Sequence, residues 1–250
     1  MRTDQHPQGD GRGISIAVID SGVHESHPHV GSVAGGVAID ANGRVSEDYV
    51  DRIGHGTAVM AAIREKAPSA DCYAVRIFDR RLSASASTLL AAIDWAISAR
   101  VHLVNLSLGT SNATHAPAFT RVVRRATDAG VSIVAARDDD GVQWLPGSLP
   151  GVVQVQVDWT CPRNQFHLVK VDRTVVCRTS GYARPIPGVD PRRNLNGVSF
   201  AVANMTGFIA CALSRTPGAS VLDGLRDLQS RMEPPSPLKP GGVAPCSLPY

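Results

Sequence analysis

A chain of 250 residues with 25 basic and 22 acidic side chains, 43% hydrophobic residues and 23 glycines is long enough for one α/β domain with a substantial core. Its apolar share is that of a folded globular protein, and no run approaches the ~20 apolar residues that cross a bilayer. Disorder and an integral membrane protein are therefore excluded. A net charge of +3, with both signs spread along the chain, is no electrostatic footprint for nucleic acid.

The first residues, MRTDQHPQGDGRG, lack the apolar stretch of a secretory signal. Five cysteines, Cys72, Cys161, Cys177, Cys211 and Cys246, form no CxxC pair, so free thiols in a reducing cytoplasm are expected. Cys161 and Cys177 are the pair that a hairpin could bring face to face.

Strand-like and helix-like patterns alternate from Gly13 onward. GISIAVI over 13–19 is a short β-branched run that predicts a buried parallel strand. Residues 55–66 read as a helix, 72–78 as a strand, and 88–100 as an amphipathic helix with Leu89, Ala92, Ile93, Ala96 and Ile97 on one face. A strand at 101–106, a helix at 118–129 ended by Gly130, and a strand at 131–136 follow. Then come a strand at 152–157, a hairpin from 166–171 and 174–177, and a long apolar helix at 199–213. Residues 222–232 suggest one more helix. Alternation of this kind predicts an α/β fold, a parallel sheet sandwiched between helices in a single domain. The chain divides into a short N-terminal extension at 1–12, the domain at 13–215, and a C-terminal helix and proline-rich tail at 216–250.

In an open parallel sheet, ligands gather at the carboxyl ends of the strands. VIDSGV places Asp20 just after the first strand, GHGTAVMAAI places His55 at a helix start, and NGVSFAVANMTG places Ser199 at the head of the apolar helix. An acid, an imidazole and a hydroxyl in the order Asp, His, Ser are the groups that nucleophilic acyl transfer requires. The hydroxyl needs the imidazole to take its proton, and the acid fixes the imidazole tautomer. His24, His27 and His29 read as a polar surface loop.

These three segments, together with NLSLG at 105–109 and LPGSLPGVVQVQVD at 145–158, resemble the subtilisin-like serine peptidases in the order in which that family carries them. The resemblance implies the subtilisin-like fold and a catalytic triad of Asp20, His55 and Ser199, with Ser199 within hydrogen-bond reach of His55. It further implies that Leu106, Ser107, Leu108 and Gly109 bind an extended peptide or protein substrate as an added strand.

The departures from the family's pattern matter as much. SIVAARDDDG resembles the oxyanion-hole loop, with Asp138 in place of glycine and Asp139 in place of the asparagine whose amide donates to the oxyanion. An ionised carboxylate cannot donate, so Asp139 is the altered oxyanion-hole candidate, although one branch of the family also carries Asp there. Ala58 stands where the family has His, Met60 and Ala61 where it has Ala-Gly, Ala203 where it has Pro, and Asn204 where it has His. The connection from His55 to Cys72 leaves no room for the family's calcium loop, so neither metal nor cofactor is expected. Trp144 falls in a shortened wall of the specificity pocket, where an indole would narrow the pocket, make a lid, or pack on the core with its N–H satisfied.

The function expected is a cytoplasmic serine endopeptidase that matures a dedicated peptide precursor, alongside a partner enzyme of the same pathway and with no membrane partner. The alternative is a degenerate member that binds a peptide or partner without cleaving it.

Overall fold

The computed structural model describes residues 9–232. The proline-rich segment 233–250, with Cys246, and residues 1–8 of the N-terminal extension lie outside the described residues. A nine-stranded sheet forms the centre. Its strands are β1 (Ser15–Asp20), β2 (Gly35–Ile39), β3 (Val45–Ser46), β4 (Asp71–Arg76), β5 (Leu103–Leu106), β6 (Ser132–Ala136), β9 (Val153–Val157), β10 (Phe166–Val171) and β11 (Thr174–Thr179). A separate two-residue hairpin joins β7 (Asp138–Asp139) to β8 (Val142–Gln143). The order across the sheet is β10-β11-β9-β6-β5-β1-β4-β2-β3. The run from β11 to β2 is parallel, and β10 and β3 close the two edges antiparallel.

Period-two alternation in β1 explains why helices cover both faces. Ile16 and Val18 point into one core with α1 (His55–Lys66), α4 (Val198–Arg215) and α5 (Val221–Arg231). Ala17 and Ile19 point into the other with α2 (Ala86–Ser98) and α3 (Ala116–Asp128). All four are at most 1% exposed, the pattern of a strand buried on both sides. Phe200 on α4 and Phe119 on α3 anchor the two cores, each such burial contributing ~1.5–3 kcal/mol. Helix starts follow local chemistry: Ser85 and Ser220 accept the Thr88 and Asp223 N–H groups as N-caps.

α4 is 18 residues long and apolar enough by composition to cross a membrane. It is instead the central core helix, packed against α1 and the sheet. Leu225 and Leu228 of α5 enter the same core, so the helix after residue 215 is built into the domain.

The elements foreseen from the sequence all appear, with ends shifted by a few residues. β2, β3 and the β7–β8 hairpin were not foreseen. β2 opens on Gly35-Gly36, β3 is two exposed residues, and neither carries an alternation to read. The hairpin at 166–179 does not bring Cys161 opposite Cys177. Cys177 faces Leu168, Cys161 precedes the hairpin, and Cys72, Cys161, Cys177 and Cys211 are all free and buried.

Candidate active site

β1 lies between β4 and β5, and its carboxyl end delivers Asp20, which is fully buried. The chain returns at Gly54 to start α1, so His55 is the first helical residue. The His55 Nδ1 lies 2.7 Å from Asp20 Oδ1, an N–H donor to a carboxylate that leaves Nε2 as the free acceptor nitrogen. The Ser21 N–H donates to the same oxygen at 2.8 Å, while Asp20 Oδ2 is buried without a partner among the described residues. Burial alone would pull the His55 pKa down. The Asp20 hydrogen bond and charge, reinforced by the charge of Asp51, outweigh it and raise the pKa above the usual imidazole value.

Close backbone approach makes this geometry possible. A side chain at Gly56 would put its Cβ 2.3 Å from the Gly22 carbonyl, so only glycine lets the start of α1 seat on the end of β1. Asp51, buried and not singled out by the sequence, clamps the two together. Its Oδ1 accepts from Ser21 Oγ, Ile53 N and Gly54 N, and its Oδ2 from Thr57 N and Thr57 Oγ1. Burial works against that carboxylate, but the Thr57 hydroxyl and the three backbone donors hold its pKa below the usual value. The Ser21 hydroxyl in turn accepts from Gly56 N at 2.8 Å.

Ser199 stands in the first turn of α4, after Gly197, whose φ of 143° suits glycine alone. The Ser199 ring-side neighbour Phe200 packs on the His55 imidazole with centroids 5.7 Å apart. Asp20, His55 and Ser199 therefore converge at the carboxyl end of the sheet. The expected Ser199–His55 hydrogen bond is not formed. The Ser199 hydroxyl donates instead to the Ser107 carbonyl at 3.1 Å, because the segment leaving β5 runs directly past the head of α4. That segment is fixed from below by Thr206 Oγ1 donating to Asn105 Oδ1 and by Asn105 Nδ2 donating to Ser107 Oγ. α4 itself runs unbroken through Ala203, and Asn204 bonds the Ser180 and Tyr182 carbonyls.

Of the residues expected to bind a peptide strand, Leu106 cannot. It is the buried last residue of β5, flanked by Ile19 of β1 and Ala135 of β6. Beyond it the sheet opens, and the backbone groups of Leu108 and Gly109 make no hydrogen bond among the described residues. Pairing resumes at Thr110, which exchanges both backbone bonds with Leu145.

β6 is parallel to β5, so the β7–β8 hairpin leaves from the same end of the sheet. Asp140 and Gly141 form its turn, both with positive φ. Asp138 accepts from Gln156 Nε2 at 2.8 and 3.0 Å. Asp139 is half-buried and pairs through its backbone with Val142. Its carboxyl makes no hydrogen bond among the described residues, and it is held above the usual carboxylate range by burial and by the charges of Asp140 and Asp138. Trp144 follows, its N–H bonded to the Arg137 carbonyl and its Cβ 3.3 Å from where a Cβ on Gly109 would lie. Its indole N–H is buried and unpartnered among the described residues, so a core Trp with a satisfied N–H is not what the chain builds.

Beside Gly54, Thr57 and Ala58, a groove of about 450 Å³ is lined by Ala61, Ala183, Ile186 and Leu195 together with His24, His27 and His29.

A family model described as "Subtilase family" matches residues 11–156. Among curated proteins, the chain is 31% identical to a thermostable alkaline protease of Halalkalibacterium halodurans over 83% of this chain and 58% of that protein. It is 31% identical to subtilisin NAT of Bacillus subtilis subsp. natto over 85% and 58%. A subtilisin of Bacillus pumilus matches at 30% over 85% of this chain and 81% of that protein. The chain thus spans about 58% of the length of the first two. A solved cold-adapted subtilisin-like serine proteinase superposes with a TM-score of 0.64 at 22% identity, covering 89% of this chain and 83% of that one.

Proposed function

This chain belongs to the subtilase family, and on that premise we propose that it is a serine endopeptidase acting through Asp20, His55 and Ser199. The observation that carries the reading is the 2.7 Å Asp20–His55 bond at the sheet end where Ser199 heads α4. In the reaction, Ser199 Oγ attacks the scissile carbonyl carbon and passes its proton to His55 Nε2. Asp20 holds the Nδ1–H and stabilises the imidazolium that forms. His55 then gives the proton to the leaving amine, and water reverses the sequence to release the acyl group. The Ser199 backbone N–H, without a partner among the described residues in the first turn of α4, supplies one donor to the oxyanion at the positive end of the helix. Asp139 supplies a second donor while it is protonated.

The substrate is a peptide or protein in extended form, paired along 107–109. Trp144 beside Gly109 leaves little room for the side chain preceding the scissile bond. That supports a narrow range, such as maturation of a dedicated precursor within a peptide-processing pathway. The four buried free thiols support a reducing, cytoplasmic setting.

A second reading, a member that holds a peptide without cutting it, is favoured by the carboxylate at Asp139 and by the Ser199 hydroxyl bonding Ser107. A fluorophosphonate probe separates the two. Selective labelling of the chain, lost in Ser199→Ala, is the expected result. A folded chain that takes no label overturns the peptidase reading and leaves the binder.

A further inference from the structure

We infer that Asp51 is a positioning residue for His55, a second buried carboxylate that both seats the imidazole and keeps it able to take up a proton. The inference rests on the proposed acyl-transfer chemistry for its purpose, but not for its test.

His55 is the first residue of a 12-residue helix. The positive end of a helix disfavours imidazolium at that place, and the ring is largely buried, which disfavours it further. A general base must nevertheless hold a proton during attack. Asp20 answers part of this through Nδ1. Asp51 answers the rest from the helix start: its carboxylate accepts from Gly54 N and Thr57 N, placing a full negative charge there.

The same carboxylate fixes position. It receives Ser21 Oγ at 2.9 Å, Ser21 receives Gly56 N at 2.8 Å, and the Ser21 N–H bonds Asp20 Oδ1. Strand end and helix start, the two segments that carry Asp20 and His55, are thus tied through one buried anion whose five donors leave it no freedom to turn. A Ser–Thr pair alone could satisfy some of these groups but would bring no charge.

The groups that bear on His55 are few. Asp20 comes from the end of β1 and Asp51 from the loop before α1, and these are its charged partners. α4 contributes the uncharged Phe200 ring.

The test is an NMR titration of the His55 imidazole, assigned by the resonance missing in His55→Gln, in the wild-type chain and in Asp51→Asn. The pKa should fall by at least ~0.5 unit in Asp51→Asn. In an active chain the acid limb of kcat/KM should move the same way. Activity lost with the His55 pKa unmoved would reduce Asp51 to a structural clamp and overturn the inference. Should Asp51→Asn fail to fold, Ser21→Ala provides the second readout, since it keeps the charge and cuts the tie. There the low-field Nδ1–H resonance of the Asp20–His55 bond should broaden and exchange faster, and an unchanged resonance would overturn the positioning role. Neither measurement needs turnover, so their failure is distinct from a failure of fluorophosphonate labelling.

Discussion

Around His55, Asp20, Ser21, Asp51 and Thr57 are hydrogen-bonded to one another below the surface, in a network drawn from two segments. Around Asp139, a hairpin of two-residue strands carries three successive carboxyl groups, of which only Asp138 accepts a side-chain hydrogen bond among the described residues. The first region would move protons in the proposed reaction and is built to hold one geometry. The second would face the charge that develops in the reaction and is built from groups whose state depends on pH. The contrast teaches that an acid–imidazole pair can be firmly held while the power of the proposed site is set by its other half.

The largest expected effect lies in that other half. The Asp139 carboxyl can donate only while protonated, so the rate should fall as pH climbs through its raised pKa. His55 must be neutral to act, so the rate should also fall as pH drops through its own raised pKa. Together these predict a narrow bell in kcat/KM. Asp139→Asn keeps a donor at every pH, and should remove the alkaline limb and raise kcat/KM at and above neutrality by as much as ~10²-fold. A large loss in a folded variant would show that the two halves do not divide the work in this way.

A smaller effect is expected at Trp144. Trp144→Gly should raise the kcat/KM ratio of an aromatic over an alanine side chain before the scissile bond by ~10-fold or more, measured with paired peptide substrates. An unchanged ratio would place the indole outside the specificity pocket. The smallest expected effect concerns the far end of α1, the helix that His55 begins. Lys66 is buried, and burial and Arg163 push its pKa down to about 8, against the pull of Glu65. The unfolded chain therefore binds the extra proton between about 8 and 10.5. Wild-type stability should rise relative to Lys66→Met across that window and run parallel to it below pH 8, as read by denaturant unfolding at a series of pH values. A gap that does not move with pH would show the amine to be solvated.

The same division explains what was legible in the sequence. β1, α1 and α4 announce themselves because burial on both sheet faces forces apolar runs, and Asp20, His55 and Ser199 sit at their ends. Asp51 did not announce itself. It lies in a loop without periodicity, and its meaning comes from donors that the fold assembles. The Ser199 rotamer was illegible for another reason: two acceptors, Nε2 and the Ser107 carbonyl, compete for one hydroxyl, and only three-dimensional packing decides between them. Leu106 was drawn into the peptide-binding stretch by its neighbours, whereas its own place between β1 and β6 closes it off.

That hydroxyl bond has a consequence for timing. The Ser107 carbonyl is also the first acceptor that a strand laid along 107–109 would meet. On the proposed strand pairing, a peptide N–H arriving there would compete for that carbonyl and weaken the hold on the Ser199 proton, worth ~1 kcal/mol. That would free the proton for Nε2, so that binding itself would ready the nucleophile.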